Sequence, residues 1–162
     1  MEYLAYVLTA LIVISLLVLI TPLIHHYRRK PPYKYRPILT KNEYAFWKVF
    51  QPMAAKRNLL ICPKVRMEDF LSVDTKDKRK RQSMRGKIKS RHIDFILCDA
   101  DMNMLAGVEL DDASHKYNKN TIEADAFKNR VFSAIGMPLF RIIVTEENYP
   151  SQLEKVFSTI GK

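Results

Sequence analysis

HIDFILCD (92–99), ADMN (100–103) and MLAGVELDDASH (104–115) form the stretch on which the fold turns. Two runs rich in Ile, Phe, Leu and Val flank a short polar segment, the pattern of a β-hairpin. Side chains alternate along a strand, so Ile93, Phe95 and Leu97 share one face and Asp94 shares the other with Ile96 and Cys98. Glu109 and Asp111, two residues apart, share a face of the second strand. A symmetric turn at Ala100–Asn103 pairs Asp99 with Met104, and counting back pairs Asp94 with Glu109. Directly opposed like charges are unfavourable, so three carboxylates gathered on an apolar hairpin call for an offsetting cation. Mg²⁺ (or Mn²⁺) suits the oxygen ligands of Asp94, Glu109 and Asp111. The inference depends on register: a three- or five-residue turn would put Asp94 and Glu109 on opposite faces.

Upstream, Leu4–Ile24 is uncharged and long enough to span about 30 Å as a helix, the thickness of a bilayer core. Only Glu2 precedes it and His25-His26-Tyr27-Arg28-Arg29-Lys30 follows, the reverse of a cleaved signal peptide. Residues 1–24 therefore read as a single-pass anchor in the inner (cytoplasmic) membrane. The positive-inside rule leaves the N-terminus outside and the C-terminal part in the cytoplasm. Residues 25–40 read as a linker stiffened by Pro31, Pro32 and Pro37, with five Lys/Arg held near anionic headgroups. Residues 41–162 form the soluble domain.

The net charge of +10 divides into +4 over residues 1–40 and +6 over residues 41–162. Lys76–Arg91 holds nine Lys/Arg against Asp77 alone. Such a field attracts nucleic-acid phosphates, DNA in the first instance, or anionic lipid; it is also what a solvated basic loop with no fixed partner would show. The candidate phosphate contacts are Lys78, Arg79, Lys80, Arg81, Arg85, Lys87, Lys89 and Arg91. Cys62 and Cys98 sit in apolar runs without zinc-type spacing and read as buried hydrophobes.

Around the hairpin, Thr40-Lys41-Asn42-Glu43 has capping-box spacing and opens a helix to Ala55. Leu59–Val65 reads as a strand in which Pro63 indicates an edge or a bulge. Met67–Val73 reads as a short helical turn before the basic loop. After the polar DASHKYNKN segment, Asn120 is a candidate cap for a helix over Thr121–Ile135, ended by Gly136 and Pro138. Leu139–Val144 reads as a buried strand, and Tyr149-Pro150-Ser151 opens a last helix with Leu153, Val156, Phe157 and Ile160 on one face.

That order, with VRMEDF, HIDFILCD, VELDDASH and IGMPLFRI, resembles the bacterial family called domain of unknown function 2726, over about Ile38–Val144. The resemblance implies a branch of the PD-(D/E)xK nucleases near the very-short-patch-repair endonucleases. The implied fold is an α/β, restriction-endonuclease-like αβββαβ core with a mixed sheet, here preceded by one transmembrane helix. By position, Asp94 and Glu109 match the two acids of the motif, and Asp111 stands where its Lys is expected. His115 is the implied replacement for that Lys, or the Lys has migrated to Lys87 or Lys89. Glu43 matches the first-helix acid, though a capping role explains it equally well. Asp111 can also be read as a turn former and His115 as a solvated loop residue. Asp125, Lys128 and Arg130 read as an exposed charged face, Asp125 with a supporting role by resemblance, and Arg141 as the partner of a carboxylate. The expected activity is a membrane-anchored, metal-dependent nuclease. The alternative is a catalytically inactive nuclease fold that binds nucleic acid or anionic lipid within a membrane-associated complex.

Overall fold

The structure is a computed structural model and describes residues 1–28, 31–111, 119–144 and 148–161. It divides into two units, Met1–Arg36 and Pro37–Lys162.

The first unit is built on α1 (Glu2–Arg28), which runs past the expected end of the apolar span into the linker. Its Glu2–His25 portion is long and apolar enough to cross a membrane. Pro22 lies inside it and can donate no bond to the carbonyl of Val18 four residues back. The Thr21 hydroxyl donates to that carbonyl instead, at 3.4 Å. Thr9 and Ser15 likewise donate to Tyr6 O and Leu11 O, so these three hydroxyls are satisfied within the helix. An apolar solvent demands that satisfaction.

The second unit is α/β. α2 (Lys41–Ala55) begins at the expected capping box: Thr40 Oγ1 accepts from Glu43 N, and Thr40 N donates to Glu43 Oε2 at 2.9 Å. β1 (Leu60–Arg66), α3 (Met67–Phe70) and α4 (Lys78–Lys89) follow, then the hairpin β2 (His92–Cys98) and β3 (Met104–Asp111). α5 (Lys119–Ala134), β4 (Leu139–Ile143) and α6 (Tyr149–Ile160) complete the order. Asn120 falls inside α5 rather than before it. The four strands lie in sequence order; β1–β2 and β2–β3 are antiparallel, and β3–β4 is parallel, joined through α5. β1 is an edge, as Pro63 requires, because proline cannot donate to a ladder.

The hairpin departs from its expected turn in two steps that cancel. The loop spans 99–103, one residue longer than the symmetric turn, and Cys98 rather than Asp99 pairs with Met104. A bulge next to Leu97/Cys98 then restores the register, giving Leu97↔Ala106 and Phe95↔Val108. Asp99 builds the longer loop, its Oδ1 accepting from Asp101 N (3.0 Å) and Asn103 N (2.8 Å). Continued by one residue, the restored register sets Asp94 opposite Glu109.

Each sheet face carries its own core. Phe46, Phe50 and Ala54 of α2 and Leu153, Val156 and Phe157 of α6 cover Phe95, Leu97, Ala106 and Val108. On the other face Met67 of α3, Ile88 of α4 and Phe132 of α5 meet Ile96 and Cys98; Ile93, expected to pack with Phe95 and Leu97, joins this second cluster at the start of β2 instead. Phe132 sits so close that a Cβ on Gly107 would lie 2.6 Å from its ring and 2.8 Å from Leu139 Cδ1. Gly107→Ala should therefore cost about 1–3 kcal/mol by overpacking. A denaturant midpoint equal to wild type would refute that packing account.

The basic segment is a helix, not a loop. Asp77 caps α4, its Oδ1 accepting from Arg79 N (2.8 Å) and Lys80 N (3.2 Å). Ile88 is buried, and Arg85 pairs with Glu68 on α3. One apolar anchor, a cap and one ion pair hold a helix whose sequence shows almost no hydrophobic stripe.

Candidate functional site

The β1–β2 register places Lys64 between Pro63↔Phe95 and Val65↔Ile93, opposite Asp94. Asp94 stands opposite Glu109, and Glu109 pairs with Arg141. A single cross-section of the sheet therefore reads Lys64, Asp94, Glu109, Arg141, one residue from each strand. Helices supply the flanks. From α2, Glu43 Oε1 accepts from Lys64 Nζ at 2.5 Å, while Asp94 Oδ1 accepts from the same ammonium at 2.9 Å. From α5, Lys128 Nζ donates to both Glu109 oxygens, at 2.8 and 2.7 Å. Arg141 donates to Asp111 Oδ1 at 2.9 Å and lies 3.1 Å from Asp125. Asp94 Oδ2 accepts from Leu110 N at 3.1 Å, which pins its rotamer.

Lys64 occupies the left-handed region at φ 54°. A non-glycine residue there costs energy and persists only where its surroundings over-determine it. The two carboxylates that grip its ammonium supply that determination. The chain thus holds a cation in a strained pose between two acids.

Burial sets the electrostatics. Asp94 and Glu109 are the buried charged residues among those described, 9% and 5% exposed. Burial pushes the Glu109 carboxyl up to about 7, against the pull of Lys128 and with a contribution from Asp94. Burial and the neighbouring Lys64 hold His92 below the ordinary histidine range. Its ring Nε2 is 3.4 Å from Lys64 Nζ and 3.9 Å from Asp94 Oδ1. The ion-paired set holds Glu43, Asp94, Glu109, Asp111 and Asp125 against Lys64, Lys128 and Arg141. Five carboxylates against three cations leave two negative charges unmatched when all are ionised.

The sequence-predicted residues divide accordingly. Asp94 and Glu109 come together as expected. Glu43 closes the expected cap through Oε2, and through Oε1 it pairs with Lys64. Asp111 engages Arg141, and among the described residues no three His, Cys, Asp or Glu side chains form a metal-holding group. His115 and Asp112 lie outside the described residues. The cations beside the acids are Lys64 and Lys128, not Lys87 or Lys89, which lie on α4. Lys128 is a 14%-exposed partner of Glu109 rather than part of an exposed face. Lys64, Lys128 and His92 are thus additions to the residues read from sequence. A lysine inside the apolar run LLICPKV was a signal for Lys64. Nothing in the local pattern of α5 marked Lys128.

In the basic segment, three of the predicted basic residues are spoken for. Arg81 donates to Thr75 O, Arg85 pairs with Glu68, and Arg91 donates to Lys87 O and lies over the Phe127 ring at 4.8 Å. Lys78, Arg79, Lys80, Lys87 and Lys89 have no ion pair among the described residues and stand exposed.

No curated protein and no solved structure matches the chain. A family match covers residues 35–160, most of the chain and every element of the second unit. On that match the chain belongs to the family described as protein of unknown function (DUF2726).

Proposed function

We propose that the protein is a membrane-anchored, metal-dependent nuclease of the PD-(D/E)xK type, near the very-short-patch-repair endonucleases, acting on nucleic-acid phosphodiesters. The observation that carries this reading is the opposition of two buried carboxylates, Asp94 and Glu109, with a lysine held against each. Uncompensated burial of two like charges is costly. The surplus of two negative charges in the surrounding set suits a divalent cation, and Mg²⁺ needs only one or two protein carboxylates beside water and substrate oxygens. Asp94 and Glu109 would hold the ion, with Asp111 the nearest further acid on β3. When bound, it would polarise the phosphodiester and lower the pKa of water.

The chain's own residues do the rest. Lys64 and Lys128, whose ammonium groups sit against Asp94 and Glu109, would be placed to contact a phosphate oxygen bound beside those acids. Either supplies the lysine that the Asp111 position lacks. His92, kept neutral by burial near Lys64, can accept a proton from water. Glu43 holds Lys64 in place through its second oxygen.

A second reading is favoured by one observation: every acid of the row already faces a cation of the chain. In that reading the fold binds nucleic acid or anionic lipid without cutting. The full-length chain in detergent, incubated with Mg²⁺ or Mn²⁺ and single- or double-stranded oligonucleotides, separates the two. Cleavage supports the nuclease; binding without cleavage under every condition supports the second reading.

The unpaired basic residues of α4 would give the phosphate contacts in either reading. Each released counterion contributes about 0.9 to the salt slope on duplex DNA. Neutralising Lys78, Arg79 and Lys80 together should flatten that slope by up to about 3, and replacing Arg81 should instead loosen the α4 N-terminus. An unchanged slope would remove α4 from the interface. The Glu2–His25 segment is proposed as the anchor, with the basic residues after it on the cytoplasmic side. A reporter fused after Lys162 and active only outside the cytoplasm would reverse that orientation.

A further inference from the structure

Beside the edge strand lies a groove of about 680 Å³, within the size range of ligand pockets. Its lining includes Trp47, Gln51, Asn58, Ile61, Cys62 and Met102. It opens next to the charged row on two counts. Trp47 is one helical turn beyond Glu43 on α2, and Cys62 is two residues, about 7 Å, before Lys64 on β1.

We propose that this groove takes the base of an unpaired nucleotide adjacent to the phosphodiester held at Asp94 and Glu109. The proposal rests on the nucleic-acid reading above and adds the substrate class: single-stranded nucleic acid, or a duplex with a base turned out.

Four features fit a base better than an aliphatic ligand. The indole of Trp47 is held by Tyr44, stacked at 6.2 Å and 13°, and Tyr44 carries Lys48 Nζ 5.3 Å from its ring centre. Base–aromatic stacking is sequence-tolerant because every base presents a π face. The amides of Gln51 and Asn58 are exposed and bonded to no described residue, so they offer both donors and acceptors. The wall formed by residues 60–62 belongs to an edge strand, whose outer backbone groups meet no neighbouring strand. Three cations near the groove suit the attached phosphates: Lys41, Lys48 and Lys56 form no ion pair among the described residues, and stand against Asp99 and Asp101 on the hairpin loop at the groove's other side. A lipid tail would leave the amides and strand edge unpaired.

Trp47 is the one tryptophan in the chain, so its emission reports on the groove directly. The experiment titrates the full-length chain in detergent, without divalent metal, with a fluorescently labelled single-stranded DNA 12-mer and with an abasic strand of the same length. Label anisotropy gives affinity and Trp47 emission gives stacking. The expected result is that both strands bind, only the base-bearing strand quenches Trp47, and it binds about tenfold tighter. Gln51→Ala, on an exposed helix face, should weaken the base-bearing strand several-fold and leave the abasic strand unchanged. Equal affinity for the two strands with no quenching would overturn the groove assignment while leaving nucleic-acid binding intact. Failure of every strand to bind at low salt, with anionic vesicles binding instead, would overturn both readings together.

Discussion

Asp94→Asn should reduce Mg²⁺-dependent cleavage by the full-length protein by at least about 10³-fold, since metal activation is worth several kcal/mol and each 1.4 kcal/mol is a decade. The fold should survive the change. An asparagine oxygen can still accept the bond from Leu110 N, and Lys64 keeps Glu43 as a partner. Net stability without metal should change little, because Glu43 still pairs with the Lys64 ammonium, so removing the Asp94 charge leaves no half-buried cation uncompensated. Metal should raise the melting temperature of wild type by a few degrees through mass action, and that of Asp94→Asn much less. Lys64→Met provides the contrast. It spares both carboxylates, so it should slow cleavage yet keep or enlarge the metal-induced shift, since one competitor for Asp94 is gone. Retained cleavage in Asp94→Asn would end the two-carboxylate account.

Much of this site was readable in the sequence because strand periodicity is strict. Alternation alone puts Asp94 and Glu109 on matching faces once the register is known. The expected register was right at those residues for a reason the sequence did not disclose. The five-residue loop should have flipped Glu109 to the far face, and the bulge next to Leu97/Cys98 flipped it back. Asp99, which collects three hydrogen bonds inside the loop, selects the longer turn. What the sequence could not reveal was which acids the cations meet, although Lys64 stood out in its apolar run. Lys64 and Lys128 lie 30 and 19 residues from the acids they touch, and only the assembled sheet brings them there.

The basic segment shows the opposite failure. Charge dominates Lys76–Arg91, so hydrophobic periodicity is silent and the pattern resembles a loop. The helical signals were present but slight: Asp77 before the run, and Met84 and Ile88 four residues apart. Tertiary contacts through Ile88 and Glu68 then decide the outcome. The consequence for function is a count. Eight candidate phosphate contacts become five, because the fixed helix and the residues just after it commit Arg81, Arg85 and Arg91 to holding the fold.

The pH dependence of stability provides a test of the buried row that needs no substrate. Burial raises Glu109 from 4.5 to about 7 in the folded chain. Below pH 4.5 both folded and unfolded chains keep the proton, and the group contributes nothing to the slope. Between the two values the unfolded chain ionises while the folded chain holds its proton, so stability falls as pH rises, by up to about 1.4 kcal/mol per unit. Above 7 the loss is complete, at most about 3 kcal/mol in all. Burial holds His92 low, and that group acts in the opposite sense, so the Glu109 contribution is read against a variant. The metal-free wild type should lose more stability between pH 5 and pH 8 than a chain in which residue 109 cannot titrate. Glu109→Gln is such a chain, because its amide cannot titrate yet still accepts from Lys128. A divalent cation needs the ionised carboxylate, so metal should recover the stability lost at pH 8 and do less at pH 5. A wild type and a Glu109→Gln variant with the same pH profile would mean that Lys128 alone neutralises Glu109, leaving the row no demand for a second cation.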